Sequence, residues 1–475
     1  MEAYPARKGD YTMYKKNAWE QYDEAELSKL NAFAEKYKAY LDAGKTEREC
    51  VTEAVRLAEE AGFTNLDKII AEGGKLQAGD KVYRNWMGKD IMLFIVGEKP
   101  LTEGMNILGA HIDSPRIDVK QNPLYEDESI AYLDTHYYGG IKKYQWVAIP
   151  LALHGVICKK DGTTVTVNIG EDEADPIFYI SDLLIHLAGD QMGQTAAKVI
   201  EGEALNLIVG SQPLKGEEKE AAKANVLKLL KDKYDVEEED FISAELEIVP
   251  AGKARDVGFD RSLIAAYGHD DRVCAYPSMA AVLDYEGVPA YTLCAVLCDK
   301  EEIGSVGATG MNGDFFKNTV AELYDAIHGY NALGIIRALQ NSRMLSSDVS
   351  AGFDPNFPGV FEKKNSAIVG KGVCFNKFTG RGGKGGSNDA NAEYIAHLRK
   401  VLDDAGVAWQ TSELGRVDAG GGGTIAYICA NYGMNVIDCG IGVLSMHAPW
   451  ELISKADLYE EYKCYCAFLK GAKTF

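Results

Sequence analysis

Leu297-Cys298-Asp299-Lys300-Glu301-Glu302-Ile303-Gly304 is the stretch that decides how the chain is read. The run before it, Tyr291 to Leu297, is apolar without alternation, the pattern of a strand covered on both faces, and a turn signal comes after it. It ends in two consecutive glutamates, and Gly304 and Gly307 behind them permit close backbone approach. In open α/β sheets, ligands bind beyond the carboxyl ends of the strands. Two carboxylates in that place can divide the work, one holding a metal ion and the other moving a proton. A lone Glu-Glu pair is more often a solvated acidic loop, because charges are seldom buried. Its weight comes from four other strand ends.

Upstream, strands are expected at Ile91–Val96 and Met105–Ile112. The second runs into Gly109-Ala110-His111-Ile112-Asp113-Ser114-Pro115, where His111 reads either as a metal ligand oriented by Asp113 or as a core histidine with a satisfied hydrogen bond. Tyr267-Gly268-His269-Asp270-Asp271-Arg272 leads into an apolar helix over Val273–Leu283. One aspartate there can bridge two cations; equally, both can suit a helix dipole. Downstream, a helix is expected over Val320–Ser342, and Asp348 comes after the short run from Met344, as a ligand or as a turn residue. The strand Asn435–Ile441 runs on to Leu444-Ser445-Met446-His447-Ala448-Pro449. Asp418 to Thr424 is glycine-rich and opens an apolar helix, an arrangement that offers backbone N–H groups to an anion or carbonyl oxygen. Thr379 to Ser387 is glycine-rich and basic and precedes a helix over Asp389–Ala405. Without Lys followed directly by Ser or Thr it is no P-loop, and it fits an active-site rim or a plain flexible loop.

The remainder supplies the frame. Two helices are expected between residues 24 and 61, from Leu27, Leu30, Phe33, Tyr37 and Leu41 at helical spacing and a capping box at Thr46–Glu49. From 121 to 254 the character changes: short β-like runs, Thr163–Ile169 and Glu245–Val249, surround a Lys/Glu-rich helix over Glu217–Lys231. Residues 121–254 therefore read as an insertion between two parts, 1–120 and 255–475, of one catalytic domain, and insertions of this kind build interfaces or lids. At 475 residues the chain exceeds one ordinary core. A hydrophobic share of 46% with 25% charged residues is that of a soluble globular protein. The net charge of −21 argues against nucleic-acid or anionic-membrane partners. Ten cysteines without a Cys-x-x-Cys point to buried thiols in a reducing compartment rather than a sulfur-ligated metal. Val147 to Cys158 is too short to span a bilayer and is broken by Pro150 and His154. Met1 to Lys8 lacks the apolar core of a signal peptide, so the expected location is cytoplasmic.

Taken together, His111-x-Asp113, Asp270-Asp271, Glu301-Glu302, Asp348 and His447 each come after an apolar strand-like run and converge on one edge of an α/β sheet. Imidazole and carboxylate donors without thiolate suit zinc, manganese or cobalt, and a pair of such ions makes a hydrolytic site. The motifs Ala110–Pro115, Asp270-Asp271-Arg272, Asp299–Ser305, Gly423-Thr424-Ile425 and Leu444–Pro449 resemble the aspartyl aminopeptidase and aminopeptidase I family of dinuclear zinc exopeptidases, across essentially the whole chain.

The resemblance implies a mixed-sheet zinc-exopeptidase-like catalytic domain with an inserted, mainly β dimerisation domain. It implies two divalent ions, zinc first with manganese or cobalt as substitutes. Asp270 would bridge them, His111 and Asp348 would complete one site, and Glu302 and His447 the other. Asp113 would orient His111, and Glu301 would act as general base. The peptide after the bridging aspartate is expected to be cis, placed here between Asp270 and Asp271. Peptides are the implied substrates, and a homododecameric tetrahedral shell built from dimers is the implied assembly.

The chain departs from the aspartyl branch. Val349 to Asp354 lacks the histidines expected after Asp348, Asp271 stands where that branch carries Asn, and Tyr138-Gly139-Gly140-Ile141-Lys142-Lys143 lacks the usual tryptophan and histidine. In related proteins that segment reaches a neighbouring subunit's active site. Acidic and neutral or hydrophobic N-terminal residues both stay open as substrates. Gly423, Thr424, Arg381, Lys384, Lys142 and Lys143 are the candidate substrate contacts. The rivals are a dinuclear deacylase or carboxypeptidase on the same scaffold and a non-enzymatic assembly protein.

Overall fold

Every residue of Thr292–Cys298 is buried, and its side chains alternate between two cores. Leu293, Ala295 and Leu297 join one with Val273 and Met279 of the helix His269–Leu283 and Leu458 and Phe468 of the helix Lys455–Gly471. Cys294, Val296 and Cys298 join the other with Phe316, Val320 and Leu323. Helices on both faces explain why the sequence shows no polar alternation. In this computed structural model, which describes residues 16–473, the strand lies in a nine-stranded mixed sheet. The opening stretch Met1–Lys8 lies outside the described residues, as does the start of the segment 1–120.

Four central strands run parallel, in the order Thr292–Cys298, Met105–His111, Arg343–Ser347 and Asn435–Gly440. Antiparallel neighbours flank them, Asp90–Ile95 on one side and Val373–Asn376 on the other. Cys298 pairs with His111, and Ser347 with Cys439, so the four strands end at one level. The residues just beyond them leave the sheet together.

Two expectations are corrected. The helix expected over Val320–Ser342 is two helices, Phe315–His328 and Ala332–Gln340. Gly329 turns the chain at φ +80° and Asn331 caps the second helix through Gly334 N–H. Both helices bury apolar residues in the same core, so the pattern runs on through the break. Asp270 does not extend a strand of the main sheet: Leu263–Ala266 belongs to a separate three-stranded sheet with Arg255–Val257 and Glu451–Ser454. The early helices, Glu24–Ala43 and Glu47–Glu60, match expectation, including the capping box of Thr46 and Glu49.

Between Arg116 and Pro250 the chain builds a six-stranded antiparallel sheet with its own core around Ile117, Leu133, Trp146 and Ile248. The Lys/Glu-rich helix is Ala221–Tyr234. Where this sheet meets the helix Glu47–Glu60, the contact is ionic and mostly buried. His154 lies between Glu49 at 2.8 Å and Glu171 at 3.3 Å, and Lys45 reaches Glu171 at 2.6 Å. Arg116 lies 2.8 Å from Asp118, 3.1 Å from Glu247 and 3.5 Å from Glu47, with Lys89 on Glu47 as well. Among the described residues no helix is long and apolar enough to cross a membrane.

Candidate active site

Asp113 is the hub of the cluster at the carboxyl ends of the parallel strands. Its carboxylate accepts the backbone N–H of Glu301 and of Glu302, both at 3.1 Å, and the Tyr138 hydroxyl at 2.8 Å. His111 Nδ1 sits 2.9 Å from the Asp113 carbonyl and 3.2 Å from its carboxylate. Burial opposes ionisation of Asp113, but the bonds from His111 and Tyr138 outweigh it and hold the carboxyl below its usual range. Two neighbouring strand ends are thereby tied to one anion.

The imidazoles share a common plan. A carbonyl can only accept, so Nδ1 of His111 and of His447 must donate, the latter to Gly140 O at 2.8 Å. In the neutral imidazole each Nε2 is then a lone-pair donor, the tautomer a metal requires. Both point at Asp270: His111 Nε2 is 3.2 Å from Oδ1 and His447 Nε2 is 3.1 Å from Oδ2. His447 Nε2 also lies 3.5 Å from Glu302 Oε1. The ligand atoms of His111, Asp270 and Asp348 fall within 4.8 Å of one another, as do those of Asp270, Glu302 and His447, and those of His111, Glu301 and Glu302. The Asp270–Asp271 peptide is cis.

Cations fit this donor set on two grounds. Asp270 Oδ1 and Glu302 Oε1 are buried and take no hydrogen bond, a costly state for a carboxylate unless a cation faces it. The carboxyls of Asp113, Asp270, Glu301, Glu302 and Asp348 also outnumber the imidazoles. Burial and neighbouring carboxylates push Asp348 and Glu302 well above the carboxylate range. Glu301 is pushed up to about 7, chiefly by burial and then by Asp113 and Asp270 against the pull of His111. Added positive charge is what lets such a cluster ionise.

Among the described residues, the candidate substrate contacts have these partners of their own. Lys142 is exposed and Lys143 half-buried, just beyond Gly140. Lys384 lies 3.2 Å from Asp389 and over the Phe378 ring, and Arg381 is exposed on the same loop. That loop is joined to the glycine run by Gly380 N–H to Gly422 O. Gly423 is exposed, while the Thr424 hydroxyl is committed to buried Asp438. The helix behind them, Ala426–Ala430, is a single short turn and offers less than the N-terminus expected there.

Sequence reasoning missed three features. Tyr138 and Gly140 bring the edge of the inserted sheet onto this chain's own site. Gly139 adopts φ +73°, and a Cβ there would lie 3.3 Å from Glu302, so a side chain would be strained and would crowd that glutamate. Glu451 receives the backbone N–H groups of Asp270 and His447. A charge opening the apolar run Glu451–Ser454, just after His447, was the available signal.

A mixed α/β sheet that gathers imidazole and carboxylate donors at the ends of its parallel strands is the architecture of a metal-dependent hydrolase. The profile of the aminopeptidase I zinc metalloprotease family (M18) matches residues 40–469. A probable M18 family aminopeptidase 1 of Clostridium acetobutylicum is 59% identical over 457 residues, spanning 96% of this chain and 98% of that protein. The crystal structure of an M18 aminopeptidase from Thermotoga maritima superposes with a TM-score of 0.92 at 44% identity, covering 97% of this chain and all of the other. That of aminopeptidase I from C. acetobutylicum gives 0.89 at 58% identity, covering 96% and 98%. The chain belongs to the M18 family of aminopeptidase I zinc metalloproteases. It is a zinc-dependent aminopeptidase, a hydrolase that acts as an exopeptidase.

Proposed function

We propose that the chain releases the N-terminal residue of peptides at a site for two divalent ions. Asp270 would be shared between them, with His111 and Asp348 on one ion and Glu302 and His447 on the other. The observation that carries this is the pairing of each Asp270 oxygen with a different imidazole Nε2. Zinc is the metal expected first from the family, with manganese or cobalt as substitutes. When bound, the ions supply Lewis acidity, polarising the scissile carbonyl and lowering the pKa of water toward about 7.

The remaining work falls to side chains. Glu301, held by its backbone N–H on Asp113, takes a proton from water on a carboxylate oxygen and returns it to the leaving amine. Asp113 keeps Nε2 of His111 free by accepting at Nδ1, and Gly140 does so for His447. The surplus of carboxylate favours a substrate that arrives with a free α-amine. An N-acetylated peptide tests this against a deacylase: turnover of Leu-p-nitroanilide with none of the acetylated peptide supports an aminopeptidase, and the reverse pattern supports the rival.

Arg381, Lys384, Lys142 and Lys143 are the basic groups available for an acidic N-terminal side chain. Comparing Asp-, Glu- and Leu-p-nitroanilides decides between acidic and neutral preference, and faster turnover of Leu would rule out the acidic one.

Residues 121–254 are proposed as the dimerisation region. The segment Ile177–Met192 supports this, because Ile177, Leu184, Ile185, Leu187 and Met192 are each more than half exposed and a lone chain rarely leaves so much apolar surface in water. A structure of the same fold, S. cerevisiae mApe1 at 21% identity and TM-score 0.75, is a dodecamer. A dodecameric shell is the assembly proposed here, and light scattering that reports a monomer would refute it.

A further inference from the structure

Glu451, like Asp113, is a buried acid that touches two of the proposed metal ligands without being one. It sits at the start of the strand Glu451–Ser454, paired with Ala266 in the three-stranded sheet. Ala266 is the last strand residue before the chain turns through Gly268 to Asp270. The loop on its other side carries His447 and is closed by paired backbone bonds between Leu444 and Leu452. Glu451 thus stands where the routes to both ligands meet. Its two oxygens are used separately: Oε1 accepts His447 N–H at 2.7 Å and Oε2 accepts Asp270 N–H at 2.9 Å.

Both recipients need such a hold. His447 lies at φ +64°, a conformation a non-glycine residue keeps only when its surroundings fix it. Asp270 departs from helical geometry within the first turn of its helix. Neither amide is held there by a regular helix or sheet. From this geometry we infer that Glu451 is a positioning residue, clamping the backbones of Asp270 and His447 so that their side chains meet one ion. The inference rests on the two-ion reading above and adds to it a residue outside the ligand set.

The clamp predicts a selective defect. Glutamine at this position keeps one acceptor and turns a donor toward the other N–H, so one amide must let go. Asp270 and His447 share the ion also held by Glu302, so that ion suffers most. Supports of metal ligands are typically worth 10–100-fold in affinity. The experiment is zinc titration of chelator-stripped full-length protein against a competing chromophoric chelator, with the absorption spectrum of the cobalt-loaded protein as a second readout. Glu451→Gln is expected to bind the second ion about 10–100-fold more weakly and the first with a smaller loss, because Asp270 is shared, with an altered cobalt spectrum. Glu451→Asp, which keeps both acceptors, should recover part of the loss. Two ions bound with parental affinity by Glu451→Gln, or both weakened equally with an unchanged spectrum, overturn the inference. If Glu451→Gln does not fold, Glu451→Asp decides: a weaker second ion supports the clamp, and parental binding of both overturns it. A parent that takes up a single ion defeats the two-ion reading, and the clamp then stands or falls on whether Glu451→Gln weakens that one ion.

Discussion

Arg116 belongs to one of two buried ionic clusters and stacks on Tyr138, which bonds Asp113 of the other, and the two solve the burial of charge in opposite ways. At the junction with the inserted sheet, Lys45, Lys89, Arg116 and His154 answer Glu47, Glu49, Glu171 and Glu247 with side chains alone. Both clusters hold buried oxygens without a hydrogen bond, but those of Glu47 and Glu247 lie beside the Arg116 guanidinium, whereas at the strand ends Asp270, Glu302 and Asp348 meet only imidazoles. A balanced cluster joins two parts of a chain. An unbalanced one is tolerated because something positive is to be added.

The largest effect expected is on chemistry at the unbalanced cluster. Glu301→Gln should cut kcat by about 10²–10⁴ as for loss of a general base, with metal content by elemental analysis unchanged. A drop accompanied by metal loss would recast Glu301 as a ligand. At the balanced cluster the effect is on folding instead. Lys45→Met strands Glu171 and the Pro250 and Gly252 carbonyls, and should cost about 3–5 kcal/mol in denaturant unfolding, equally with and without added zinc. Zinc-dependent rescue would blur the distinction between the clusters.

Chelation reverses the pattern. Stripping a single ion held at 100 times its Kd removes about 2.7 kcal/mol, seen as a fall in the thermal midpoint that added zinc restores. The smallest effect is a pH slope. Burial lowers the pKa of His154, but Glu171 and Glu49 outweigh it and raise the imidazole above its ordinary 6.5. Protonated His154 therefore stabilises the fold fully below pH 6.5, and the contribution fades as pH rises through the raised value. His154→Gln should flatten the decline in stability above pH 6.5; an unaltered slope would place that titration elsewhere.

The sequence carried the local features. Apolar runs that end in acid or histidine marked His111, Asp113, Glu301, Glu302 and Asp348, because a fully buried parallel strand leaves an unalternating run and the residues just past its carboxyl end gather at the sheet edge. Asp270 was marked by its motif, but its true origin in a separate small sheet was not visible, since pairing of Ala266 with Glu451 joins positions far apart in the chain. The break at Gly329 was hidden because two helices bury the same face. Tyr138 and Gly140 were unreadable for a third reason: a hydroxyl and a carbonyl acquire meaning only once the inserted sheet brings them to Asp113 and His447. Contacts made by backbone atoms leave little trace in side-chain patterns.

On the proposed reading, cations complete the acid-rich cluster and the junction cluster takes none. Metal analysis of the purified protein, beside His111→Ala and His154→Ala variants, tests it most directly. Two ions per chain are expected in the parent and in His154→Ala, with fewer in His111→Ala. A parent without bound ions, or equal metal loss from both variants, would contradict it.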